Sequence, residues 1–142
     1  YDNSIRYTDH ILSDIIDTLS HSSDRFDTAL LYVSDHGESL GEGGLYLHGL
    51  PYMFAPDAQK HVPMIFWASP GYRDAASLDK GCVAREADDA YSHDNLFHSV
   101  LGLLDIRTDA YRRELDIFAP CRPAAWTAAL TGKPGTGGSM VQ

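Results

Sequence analysis

The sequence predicts an α/β fold, and three stretches predict it. Ile5, Ile11, Leu12, Ile15, Ile16 and Leu19 recur at helical spacing, the stripe of an amphipathic helix with one face for a sheet. Residues 28–33, Thr-Ala-Leu-Leu-Tyr-Val, form a near-continuous apolar run of strand length, the pattern of a strand covered on both faces in a parallel sheet. Directly after it, Ser34-Asp35-His36-Gly37-Glu38-Ser39-Leu40-Gly41-Glu42 sets an acid, an imidazole and glycines beyond the carboxyl end of the strand. Ligands and metals gather at that end in open α/β sheets. Helix followed by buried strand is half of an α/β unit.

The elements follow in order. Asp2 or Asn3 can cap the first helix. His10 and His21 fall on its polar side and read as solvated surface, and residues 20–24 break the pattern before the strand. Residues 34–61 then hold no sustained period, with five glycines, Pro51 and Pro56 among several aromatics. Connections of such length are usually functional or disordered. Leu45, Tyr46, Leu47, Leu50, Tyr52, Met53 and Phe54 make this one too apolar for disorder, so it reads as an ordered site loop. A second strand is expected at 62–68, with Pro63 near its start, where a missing donor does least harm.

Residues 70–91 are polar and mixed, with a turn at Pro70-Gly71. Ser92 is expected to cap a helix, Asp94 to favour its dipole, and Leu96, Phe97, Val100, Leu101 and Leu104 to form its buried face. His93 and His98 take surface or capping roles in this reading. From Pro123 the periodicity is lost, so residues 1–122 are read as the folded part and 123–142 as a flexible tail.

Composition narrows the function. Of 142 residues, 44% are hydrophobic and 22% charged, ordinary globular usage. The formal net charge is −9, with 20 acidic against 11 basic residues and no basic cluster, which argues against nucleic acid as a partner. No apolar run approaches the ~20 residues that cross a bilayer. The chain starts on Tyr1 and enters almost at once on a helical pattern, as a fragment without its N-terminal part would. Cys82 and Cys121 lie too far apart for a CxxC motif, and composition leaves them open as two buried thiols or one bridge.

Asp35 and His36 are the candidate metal ligands. A carboxylate oxygen with an imidazole nitrogen suits zinc or a related divalent ion. Adjacent side chains on a continuing strand would point to opposite faces, so convergence needs a turn, and Gly37 supplies the backbone freedom for one. His48 follows twelve residues after His36 in Tyr-Leu-His-Gly-Leu-Pro, and a loop folded back on itself brings it to the pair. There it could hold a second metal, bind a phosphate or protonate a leaving group. Glu38 and Glu42 are candidates for supporting these groups, although acids on a glycine-rich loop are more often simply solvated.

Taken together, Ser-Asp-His-Gly-Glu-Ser-Leu-Gly-Glu, Tyr-Leu-His-Gly-Leu-Pro, Phe-Ala-Pro and Gln-Lys-His-Val-Pro-Met resemble the phosphoethanolamine transferases that modify lipid A, a family that includes the mobile colistin-resistance enzymes. Tyr1-Asp2-Asn3 and Ser92-His93-Asp94-Asn95-Leu96-Phe97 fit as well, so the likeness spans about the first 120 residues. The resemblance implies an α/β/α sandwich of the alkaline-phosphatase and sulfatase superfamily, present here as the C-terminal part of the catalytic domain. It implies a catalytic zinc ion with Asp35 and His36 among its ligands, and His48 contacting the phosphoethanolamine head group. The glutamate and nucleophilic threonine that complete the family's site have no match here; Thr8, Thr18 and Thr28 are not substitutes.

The implied donor is phosphatidylethanolamine and the implied acceptor a lipid A phosphate. Transfer lowers polymyxin binding by offsetting negative charge. The implied location is the periplasmic face of the Gram-negative inner membrane, with the anchor in a missing N-terminal region. That oxidising compartment favours a Cys82–Cys121 bridge. Another enzyme of the superfamily (sulfatase, phosphodiesterase or phosphoglycerol transferase) is the nearest alternative, and a non-catalytic fragment is the alternative of another class.

Overall fold

A computed structural model describes residues 1–124. The expected tail lies outside the described residues, apart from Pro123 and Ala124. The chain divides into two compact units, Tyr1–Tyr72 and a second beginning at Arg73.

The first unit opens on α1 (Asp2–His21). Tyr1 holds the cap position without a side-chain cap, and Asp2 lies in the first turn, where its charge favours the dipole. Of the expected stripe, Leu12, Ile16 and Leu19 are half-buried and share one face with Thr8 at three- and four-residue spacing, whereas Ile5, Ile11 and Ile15 are exposed. The hydroxyl of Thr28 donates to the carbonyl of Leu19 (3.1 Å), tying the start of the next strand to the last turns of α1.

That strand, β1 (Ala29–Val33), pairs antiparallel with β4 (Met64–Ala68), in the register Ala29 to Ala68 and Val33 to Met64. The parallel, fully covered setting expected for residues 28–33 is therefore corrected: among the described residues β1 has this one partner and is at most half-buried. An apolar run reports burial potential but not the direction of a neighbour, and antiparallel strands often complete α/β sheets. The antiparallel register has a consequence for the loop between. The Val33–Met64 pair and the Ser34 N–H to Pro63 carbonyl bond (3.2 Å) bring both ends of residues 34–63 to one place.

Within this closed loop, β2 (Ser39–Leu40) and β3 (Tyr46–Leu47) form a small antiparallel ladder, and α2 (Asp57–Lys60) is one short helix that periodicity could not reveal. Residues 70–91 also differ from the expectation of mixed polar chain. They carry α3 (Pro70–Ala75) and α4 (Lys80–Glu86). Pro70 begins α3, where its missing N–H costs nothing, and the Asp79 carboxylate accepts from the Cys82 N–H at the start of α4.

The second unit holds most of the buried apolar side chains, among them Leu78, Leu101, Tyr111, Ile117 and Phe118. Its central helix is α5 (Asp94–Leu103). The cap position is His93, not Ser92, although the Ser92 hydroxyl accepts from the Asp94 N–H. The expected buried face is corrected in part: Leu101 is buried and Leu96 half-buried as expected. Phe97, Val100 and Leu104 are exposed, while His98, Ser99, Leu101 and Gly102 are buried.

The reason is that the segment after α5 docks through hydrogen bonds. The Arg112 N–H donates to His98 Nδ1 (3.1 Å) and the Ile117 N–H to the Ser99 hydroxyl (3.0 Å). His98 is thus a buried docking residue, not a surface histidine.

Asp116 is the hub of that segment. Its carboxylate accepts from the Tyr111 hydroxyl (2.7 Å) and the Phe118 N–H (2.9 Å), and Arg122 Nη1 lies 3.4 Å away. Desolvation pushes the Asp116 carboxyl above the ordinary range, against the opposing pull of Tyr111 and Arg122. A β-carbon at position 102 would fall on this carboxylate, so the helix accepts a glycine there.

Cys82 and Cys121 are joined in a disulfide, with Cα atoms 5.3 Å apart and a sequence separation of 39. In the chain-entropy model a loop of that size contributes about 4 kcal/mol. Reduction should lower unfolding stability by up to about that amount, read as a fall in the denaturation midpoint with and without dithiothreitol. An unchanged midpoint would show that the buried polar contacts of Asp116 suffice alone.

Candidate functional site

The loop leaving β1 assembles three of the sequence-predicted side chains. His36 Nδ1 donates to the Gly37 carbonyl (2.9 Å), which leaves Nε2 as the lone-pair nitrogen. That nitrogen lies 3.9 Å from Asp35 Oδ2, a gap that a divalent ion can bridge with bonds of about 2.0–2.2 Å. The ring of His48 stacks on His36 with centroids 3.8 Å apart, so the loop does fold back on itself. His48 Nδ1 pairs with Glu38 Oε2 at 3.1 Å.

His36, Glu38 and His48 each bring one ligand-type atom within 4.8 Å of the others. Asp35 stands at the rim of this group, its side chain 90% exposed beside 25% for Glu38.

The residues fit a divalent cation on three observations. One histidine nitrogen is free to coordinate, a carboxylate faces it, and the second oxygen of Glu38 is buried without a hydrogen-bond partner. A buried, unpaired carboxylate oxygen is costly unless a cation or a water satisfies it. Of the two candidate supporting acids, Glu38 joins the cluster through His48. Glu42 instead closes its own turn. Its carboxylate accepts from the Leu40 N–H (2.7 Å), and backbone N–H groups, its own first and then that of Leu40, hold its pKa below the ordinary value.

Two features beneath the site fix its shape. The Gly37 N–H donates to the Gln59 carbonyl (3.0 Å), and a β-carbon at Gly37 would fall on the Ala58 carbonyl oxygen. Gly37 is therefore required for close backbone approach; among the described residues the glycines with positive φ are Gly41, Gly43, Gly44 and Gly49. The buried Gln59 amide donates to the Ser39 hydroxyl (2.9 Å) and to the Leu47 carbonyl (3.1 Å). Leu47 itself is left-handed, with φ of 65°, a strain of about 1–2 kcal/mol for a residue with a β-carbon. Nothing in the sequence pattern marks Gln59, because a lone glutamine between two short elements has no periodic signal.

The protein-family model described as Sulfatase matches residues 1–106. The chain belongs to the sulfatase family. It is 50% identical over 123 residues to phosphoethanolamine transferase EptA of Salmonella typhimurium, covering 86% of this chain and 22% of that protein. It is 39% identical over 109 residues to phosphatidylethanolamine transferase Mcr-1 of Escherichia coli, covering 77% of this chain and 19% of that protein.

Two structures of lipooligosaccharide phosphoethanolamine transferase A from Neisseria meningitidis, its soluble domain and the integral membrane protein, are each 44% identical with a TM-score of 0.82. They cover 87% of this chain and 37% and 23% of theirs. The sulfatase-type α/β assignment and the likeness to phosphoethanolamine transferases stand on these matches. The chain spans about a fifth of the length of the transferases EptA and Mcr-1. No described helix is long and apolar enough to cross a membrane.

Replacing Gln59 by Ala would leave the Leu47 carbonyl and the Ser39 hydroxyl without their donor, at a cost of about 1–3 kcal/mol. Amide exchange at Gly37, whose N–H is bonded to the Gln59 carbonyl, should accelerate accordingly. Unchanged protection would mean that the small ladder holds the loop unaided.

Proposed function

We propose that this chain is the C-terminal, metal-binding part of a zinc-dependent phosphoethanolamine transferase. Its donor is phosphatidylethanolamine and its acceptor a lipid A phosphate. The observation that carries the reading is the convergence of His36, Glu38 and His48, with Asp35 at the rim, on a sulfatase-family loop. The names of the similar transferases supply the group transferred.

Asp35 and His36 are the residues that would hold the zinc, which supplies charge neutralisation at phosphoryl oxygens. His36 is oriented for this by its bond to the Gly37 carbonyl. Glu38 holds the Nδ1 side of His48 and so leaves Nε2 as the nitrogen that can give or take a proton at the head group. The nucleophile is a threonine supplied from outside these residues. Adding an amine-bearing group to lipid A offsets its negative charge and weakens the binding of cationic polymyxins. The working location is the periplasmic face of the Gram-negative inner membrane, where a Cys82–Cys121 disulfide persists.

The test is metal content together with phosphoethanolamine transfer in the natural full-length protein, wild type beside Asp35→Ala and His36→Ala. Both variants should lose most bound zinc and at least ~100-fold in transfer rate, the scale on which one preorganised electrostatic group acts. Retained metal with retained transfer would make the pair scaffolding. Hydrolysis of sulfate esters in place of transfer would favour a sulfatase. The 142 residues alone should show no transfer, because the threonine has no counterpart in them. Turnover by the isolated chain that disappears in Asp35→Ala would overturn that expectation.

A further inference from the structure

The loop that carries His48 turns its large apolar side chains outward. Tyr46, Leu47, Tyr52, Met53 and Phe54 are 71%, 69%, 81%, 80% and 69% exposed. Single exposed apolar residues are ordinary, whereas five on one loop mark a contact surface. Residues 45–56 contain no Lys, Arg, Asp or Glu, in a chain whose formal net charge is −9. The rim carries one cation, Lys60, whose ammonium lies 5.3 Å from the centre of the Tyr52 ring and 3.5 Å from Asp57. Leu47 keeps an exposed aliphatic side chain on a left-handed backbone that glycine would adopt without strain. The fold alone gives no reason for a leucine there.

We propose that residues 45–56 enter the boundary between head groups and acyl chains of a lipid bilayer and seat the site at phosphate depth. The inference rests on the transferase reading above: donor and acceptor both carry their reacting phosphate at the membrane surface. His48 must reach that level, and the apolar side chains on either side of it then lie one layer deeper. The chemistry of the loop matches that position. Tyr46 and Tyr52 combine an aromatic body with a polar hydroxyl, as interfacial residues do, and Met53 and Phe54 supply apolar depth. Lys60, paired with Asp57, borders the stretch, and residues 45–56 themselves carry no acid that an anionic membrane would repel.

The experiment places a bimane label on Met53→Cys in the natural full-length protein reconstituted into phosphatidylethanolamine-containing vesicles. Cys82 and Cys121 are joined to each other, which keeps them from competing for the label. Spin-labelled lipid in the upper acyl region should quench the label several-fold more strongly than aqueous iodide does. Strong iodide quenching without lipid quenching would overturn the proposal. A label shielded from both quenchers would overturn it too, by showing that protein covers the loop.

A second arm uses the double variant Met53→Ser and Phe54→Ser, two exposed positions whose side chains support nothing in the fold. Turnover on vesicle-embedded phosphatidylethanolamine should fall about tenfold, with turnover on water-soluble glycerophosphoethanolamine unchanged. An equal fall on both donors would overturn the bilayer role. Wild-type protein inactive on both donors would sink the transferase reading instead, and the quenching arm would still decide the placement of the loop.

Discussion

The contact between the turn at Gly37 and the backbone of Asp57–Lys60 is the constraint on which the site depends. Gly37 lies against the Ala58 carbonyl with no room for a side chain, and its N–H is bound to the Gln59 carbonyl. From the same position the Gln59 side chain holds Ser39 and Leu47, one residue from each strand of the small ladder. A buried amide is costly unless its donors are used, so these bonds select one arrangement of the loop from many. With that arrangement in place, His48 stacks on His36 and meets Glu38. Without it, a glycine-rich connector would hold its histidine anywhere.

The second unit solves a different problem by similar means. Its segment after α5 buries Tyr111, Ile117 and Phe118, and it is set against α5 by backbone N–H groups that pair with His98 and Ser99, while Asp116 ties the segment to itself. The Asp116–Arg122 pair is fully buried on both sides, an arrangement whose desolvation cost offsets much of its attraction. Its value is geometric. Together with the disulfide it specifies where residues 111–122 lie, and each polar group fits one partner set where an apolar contact would tolerate many.

Both units also keep apolar side chains at their surfaces. Ile5, Ile11 and Ile15 of α1 and Phe97, Val100 and Leu104 of α5 are exposed, and the β1–β4 pair is half-covered. Helices of α/β domains bury such stripes against another layer. The loop around His48 differs from them in kind. Its exposed residues follow no helical period, include two tyrosines, and surround the chemical groups themselves.

The sequence by itself determined the parts governed by local pattern. The helix α1, the two strands of the longer pair and the helix at α5 are all legible, because periodicity and apolar runs report element type directly. The motif carried the family and the candidates Asp35, His36 and His48, because a strand-end acid and imidazole among glycines is a chemical statement as well as a structural one. Tertiary structure decided what local pattern cannot encode. The antiparallel partner of β1, the outward face of α5, the docking role of His98 and the support from Gln59 each depend on residues distant in sequence. So does the choice of Glu38, and not Glu42, as the partner of His48, since only a folded-back loop brings a carboxylate and an imidazole ten residues apart into one hydrogen bond.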